Sequence, residues 1–204
     1  MFWLIVVPLL WLIAPMYIGQ GPKPAPYLAT SNTKQLGLAL LEFENKYKSY
    51  PNDATVSQVT SDFPTHGYKL TGESSNATFR QLIAAGLCTS ENIFYSEMNV
   101  RNGPDGHMNP GEALQKGEVG FAYISGLTSE SNPSTPLVLT PLIPGTTQFD
   151  PKPFKGKAIV LHIDQTVSIH DIADDGHIYD KGIDILSPNH PFWNGKTPTI
   201  HYPE

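Results

Sequence analysis

Cysteine is almost missing from this chain. Cys88 is the only one among 204 residues, so no intrachain disulfide can form and no redox compartment can be read from a disulfide framework. Charge is also scarce, at 16% of residues, and the net balance of -6 includes no Lys/Arg cluster. Phosphate neutralisation needs a concentrated basic face, so nucleic acid is excluded as a partner. Catalytic signatures are missing too. The sequence has no G-x-S-x-G elbow, no H-E-x-x-H pair, no phosphate loop and no dinucleotide fingerprint, which removes the enzyme families built on them. We expect no catalytic residue and no cofactor. Cys88 reads as a small apolar residue, because no basic neighbour accompanies it to stabilise a thiolate.

Turn formers, by contrast, are plentiful: 19 prolines and 17 glycines predict a loop-rich globule rather than a helix bundle, and 40% apolar residues suffice for one core. Residues 2–18 hold no charge and carry ten Phe, Leu, Ile and Val side chains, each favouring lipid by ~0.3 to 0.6 kcal/mol. As a helix this run would rise ~26 Å, close to a hydrocarbon core of ~30 Å. No Lys or Arg precedes it and no small-x-small site follows, so we expect an uncleaved anchor over residues 1–18 rather than a signal peptide. The nearby basic residues Lys23, Lys34, Lys46 and Lys48 all follow the run, which alone would hold that side in the cytoplasm. A large domain translocates largely regardless of such charge, so we expect the C-terminal domain in the periplasm.

Three prolines at 22, 24 and 26 predict an extended linker over residues 19–30, leaving a domain over 31–204. The clearest helix covers residues 33–48. Asn32 with Gln35 resembles a capping box, Leu36, Leu40, Phe43 and Tyr47 share one stripe, and Pro51 marks the stop. Glu42, Glu44, Asn45 and Lys48 are expected on its wet side. A second helix is predicted over 77–85, with Asn76 as N-cap and Gly86 as terminator. Asn76-Ala77-Thr78 is formally a glycosylation acceptor, to which we assign no function. Residues 121–124, 137–140, 158–163 and 167–172 read as strands, the last two as a hairpin. The fold class is therefore α+β.

The densest polar segment contains His162, Asp164, His170, Asp171, Asp174, Asp175, His177 and Asp180, side chains that zinc or calcium sites use. A two-residue turn at Asp164-Gln165 or Gln165-Thr166 would put His162 and His170 on opposite faces of the hairpin, so they could not share a metal. Asp174, Asp175 and Asp180 read as turn residues, with calcium the minor alternative. His66, His107, His190 and His201 suggest surface loops. Phe192-Trp193 reads as a seal at the bottom of the core rather than a sugar-stacking pair.

In this order the elements resemble bacterial type II secretion pseudopilins and related type IV pilin-like proteins. The resemblance rests on Asn32-Thr33-Lys34-Gln35-Leu36-Gly37-Leu38-Ala39-Leu40, running on to Tyr50-Pro51, and on Gly156-Lys157-Ala158-Ile159-Val160-Leu161-His162-Ile163-Asp164-Gln165-Thr166-Val167. Phe121 to Leu127 and Pro191 to Lys196 add to it. The family's Phe-Thr-Leu-Ile-Glu run does not occur in this sequence, and the Gly/Pro segment interrupts what would be one long helix. The resemblance implies an amphipathic helix on an antiparallel sheet, an inner-membrane single-pass anchor, other pilin-like or secretion-system subunits as partners, and a non-enzymatic role. It also implies calcium, which the family's major members bind. An extracytoplasmic module for glycan or calcium on the same scaffold is the alternative.

Overall fold

The computed structural model describes residues 25–65, 67–97 and 103–204. The expected anchor over residues 1–18 and His66 lie outside them. Among the described residues no helix is long and apolar enough to cross a membrane.

The first helix, α1, runs Ala25–Tyr47 over 23 residues, beginning well before the predicted residue 33. Pro26 is no obstacle, because amides of the first helical turn have no partner inside the helix and proline's fixed φ suits that turn. The expected linker therefore gives way to helix at its last six residues, 25–30. Thr30 and Thr33 turn their hydroxyls back onto the carbonyls of Pro26 and Ala29, at 2.6 and 2.7 Å. Asn32 is not a cap. It lies inside the helix, buried, and its amide donates to the carbonyls of Asn92 and Tyr95 at 2.7 and 2.8 Å. The helix ends where Lys48 turns left-handed (φ 58°) and its amide donates to Glu44.

Leu36, Leu40 and Phe43 are fully buried as expected, while Tyr47 sits at the rim with its ring against Phe43 and its hydroxyl on Asp62. Glu44 departs from the expected wet face: it is buried and accepts from the Ser129 hydroxyl at 2.6 Å. Gly37 also faces inward, where a Cβ would come within 2.8 Å of Gln165 Oε1 and 3.0 Å of Leu161 Cδ1. The missing side chain lets the helix lie close to the sheet.

Helix α2, Asp53–Asp62, follows at once, capped by Asn52 with Thr55 closing a capping box. Helix α3, Ser75–Ala84, is capped by Ser74 rather than by the expected Asn76. Asn76 is instead buried in the first turn, donating to the carbonyls of Leu114 and Gln115, so as a glycosylation acceptor it is closed off in the folded chain. A short 3-10 helix, Glu91–Phe94, comes next.

The sheet follows: β1 Ala122–Ser125, β2 Pro136–Thr140, β3 Lys157–His162, β4 Val167–Asp171, then the small hairpin β5 Tyr179–Asp180 and β6 Ile183–Asp184, and finally β7 Thr199–His201. The main sheet has the order β4-β3-β2-β1-β7, each neighbour antiparallel. Two rows of side chains cross it. Tyr123, Val138, Leu161 and Val167 face α1 and α3 in a core with Phe43, Phe79 and Phe121. Ala122, Leu139 and Val160 face a second core closed by Phe149, Ile178, Ile185, Leu186 and Trp193. Both faces are thus covered, which explains why β2 is buried at every position and reads as a continuous apolar run. Trp193 seals the second core as expected, its indole N–H donating to Ile185 O at 2.7 Å.

The end of the sequence reaches back to the first half. Beyond β7, Tyr202 bridges Ser74, Gly117 N–H donates to Glu204 O, and Glu204 N–H donates to the Asn76 side chain at 2.9 Å.

Candidate functional site

Among the described residues, three places bear most directly on function. The first is the outward side of α1. Residues Lys34, Gln35, Leu38, Glu42 and Asn45 are exposed at helical spacing, and Leu38 shows 65% of its surface. Beside them lies a shallow cleft of about 320 Å³ bounded by Gln35, Leu38, Glu42, Leu87 and Ile93. Cys88 borders it, yet is 7% exposed, and burial with the nearby Glu42 charge pushes its thiol up to about 12. It is inert near neutral pH, as the sequence implied.

The second is acidic. Glu91, Asp105 and Glu118 bring one carboxylate oxygen each within 4.8 Å of one another, and Glu91 and Glu118 are 1% and 2% exposed. The 3-10 helix holds Glu91, which accepts from Leu114 N–H at 2.8 Å and Gly106 N–H at 3.0 Å. Glu118 accepts from Gln115 N–H. Among the described residues no lysine or arginine forms an ion pair with either glutamate. Burial, joined by the charges of Glu91 and Asp105, pushes the Glu118 carboxyl up, while the His107 backbone N–H holds Asp105 down. Oxygen donors of this kind could hold a divalent cation. Residues 91, 105 and 118 are too far apart in sequence to form a local motif, so nothing but the fold reveals them. The aspartates singled out earlier are not gathered this way: Asp175 accepts from His177 N–H and from the Tyr179 hydroxyl, and Asp180 faces His190.

The third place corrects the hairpin geometry. Leu161 pairs with Val167, and His162 N–H donates to Thr166 O, so the connection is the three residues Ile163, Asp164 and Gln165, with Gln165 left-handed at φ 67°. An odd loop makes the sum of paired positions even. His162 and His170 therefore project from the same face, with Ser168 between them. Ser168 Oγ lies 2.6 Å from His162 Nε2 and 2.7 Å from His170 Nε2, and His162 Nδ1 is 2.8 Å from Ser134 O. Burial, with the nearby His162, pulls the His170 pKa down. A serine bonded to an oriented histidine resembles a nucleophile and base, but this hydroxyl is claimed from both sides. The neighbouring cleft, about 270 Å³, is lined by Ser134, Asp180, His190 and Phe192 and not by Ser168. His190 and His201, expected at the surface, are 3% and 7% exposed; His107 is exposed as expected. His190 packs its ring on Phe192, and His201 is a strand residue bonded to Thr78.

No family model, no curated protein and no solved structure matches the chain.

Proposed function

We propose that this chain is a non-catalytic, pilin-like subunit tethered to the inner membrane through residues 1–18, with its globular part in the periplasm, acting by contact with other pilin-like or secretion-system subunits. The observation that carries this reading is α1: a 23-residue helix that buries Leu36, Leu40 and Phe43 against an antiparallel sheet and leaves Leu38 and Glu42 outward. An apolar run precedes it in sequence, and a shallow cleft lies alongside. An exposed leucine on the outward side of a helix packed on a sheet is the kind of surface a neighbouring subunit covers. A photo-crosslinking residue at position 38 or 42, in membranes of the native cell, should trap a neighbouring protein, whereas one at exposed Lys152 should not. Recovery of the full chain in the soluble fraction, with no adduct from either helix position, would overturn the reading.

The calcium reading moves from Asp174, Asp175 and Asp180 to Glu91, Asp105 and Glu118. The observation behind it is the pair of buried carboxylates with no lysine or arginine within ion-pair distance among the described residues. Calcium added to chelator-treated protein should raise the thermal midpoint, and Glu118→Gln should abolish that rise; equal shifts in both proteins exclude the site.

A further inference from the structure

Two imidazoles converge on a single point in this fold. His162, at the end of β3, and His170, on edge strand β4, each aim Nε2 at Ser168 Oγ, from 2.6 and 2.7 Å, and their ring centroids are 6.4 Å apart. The hydrogen-bond chain fixes most of the protons. Ser134 O has no proton to give, so the neutral His162 ring carries its hydrogen on Nδ1, and its Nε2 lone pair faces Ser168. The serine proton serves that lone pair. His170 then donates from its own Nε2.

A histidine whose far nitrogen is anchored by a backbone carbonyl, with the near nitrogen unprotonated and directed at a shared point, is in the state metal sites impose on their ligands. His170 reaches the same state by moving its proton from Nε2 to Nδ1, with no net gain or loss. A carboxylate stands near: Asp180, half-exposed, bears on His170 by its charge, with His190 Nε2 3.6 Å from it.

We propose that His162 and His170 form a two-histidine binding site for a divalent transition-metal ion of zinc, nickel or copper type, with water completing its coordination. Nitrogen donors select these ions over calcium or magnesium, so the site is chemically distinct from the acidic trio. Ser168 Oγ occupies the meeting point. Metal–nitrogen bonds of about 2.0–2.1 Å are shorter than the present contacts, so the hydroxyl must turn aside as the rings close in.

The test uses the full chain in detergent, stripped of metal, titrated with Zn²⁺ by calorimetry in excess Ca²⁺ to occupy the carboxylates. We expect saturable binding of one ion. His162→Gln and His170→Gln should each weaken it at least about tenfold, His107→Gln should leave it unchanged, and Ser168→Ala should tighten it by removing the occupant. With Cu²⁺ as the probe, electron paramagnetic resonance should count two nitrogen ligands, falling to one in either histidine variant that retains the native circular dichroism. Loss of less than about twofold in both histidine variants, or weaker binding in Ser168→Ala, would overturn the proposal, as would the lack of saturable binding in the unsubstituted chain.

Discussion

Gly120 shows how completely one missing side chain can be specified. A Cβ there would lie 2.0 Å from Ser96 Oγ and 2.8 Å from Ser96 N, while Ser96 and Thr140 both donate to the Gly120 carbonyl. Backbone on one side and a filled hydrogen-bond triangle on the other leave nothing free to yield. Gly120→Ala should cost at least about 1–3 kcal/mol in urea unfolding; a change within about 0.5 kcal/mol, the ordinary range for a surface position, would contradict this packing. Glu118 makes an opposite prediction. Its carboxyl is pushed up by burial, so the folded chain binds that proton more tightly than the unfolded chain does, and stability falls as pH rises through the raised value. Glu118→Gln should therefore stabilise the cation-free protein at pH 7 relative to the parent, with the gap narrowing toward pH 4, as read from thermal midpoints across that range.

At the scale of elements, α1 tests the apolar stripe. Leu40 is fully buried, so Leu40→Asp places an unpaired carboxylate in the core and should unfold the domain or cost several kcal/mol, whereas Glu42→Ala on the exposed side should stay within about 0.5 kcal/mol, both measured by chemical denaturation. That stripe was legible because its 3.6-residue spacing carries the burial pattern. Four of the five strands of the main sheet were legible for a similar reason, as short β-favouring runs bounded by turn residues; the three-residue β7, Thr199–His201, was not read. Helix α2 was not read: Thr55, Val56, Val59 and Thr60 are β-branched and lower helix propensity, and only the Asn52/Thr55 capping box betrays it. The capping rules also misplaced two asparagines. Asn32 and Asn76 have cap chemistry, but each spends its amide on distant carbonyls, a tertiary use that local sequence does not reveal. The histidine pair failed on one residue of loop length, since hairpin parity inverts when a two-residue turn becomes three.

For the molecule as a whole, acid should loosen the join between the two halves. His201 is buried beside Thr78 and burial pulls its pKa down, so the unfolded chain takes up a proton near pH 6.5 that the folded chain declines. Its contribution is fully present above about pH 6.5 and is lost as pH falls toward the lowered value. The denaturant midpoint should fall across that window, and His201→Gln should flatten this part of the profile; an unchanged slope would assign the acid sensitivity to other groups. Cys88 offers a direct readout, because a thiol pushed up to about 12 by burial stays silent toward a maleimide until the fold opens.

The strand that closes the sheet beside β1 is also the last of the described strands in sequence order. Thr199 to His201 pair with Ser125 to Tyr123, and Tyr202 and Glu204 tie to Ser74, Asn76 and Gly117, partners more than a third of the sequence earlier. During synthesis β1 therefore waits with an open edge until residues 199–201 emerge. A chain that stops at residue 198 would never close that edge, and its unpaired β1 would stay available to other strands. β7 thus works as a late seal: the edge of β1 is hidden by a strand that lies more than seventy residues further along the sequence.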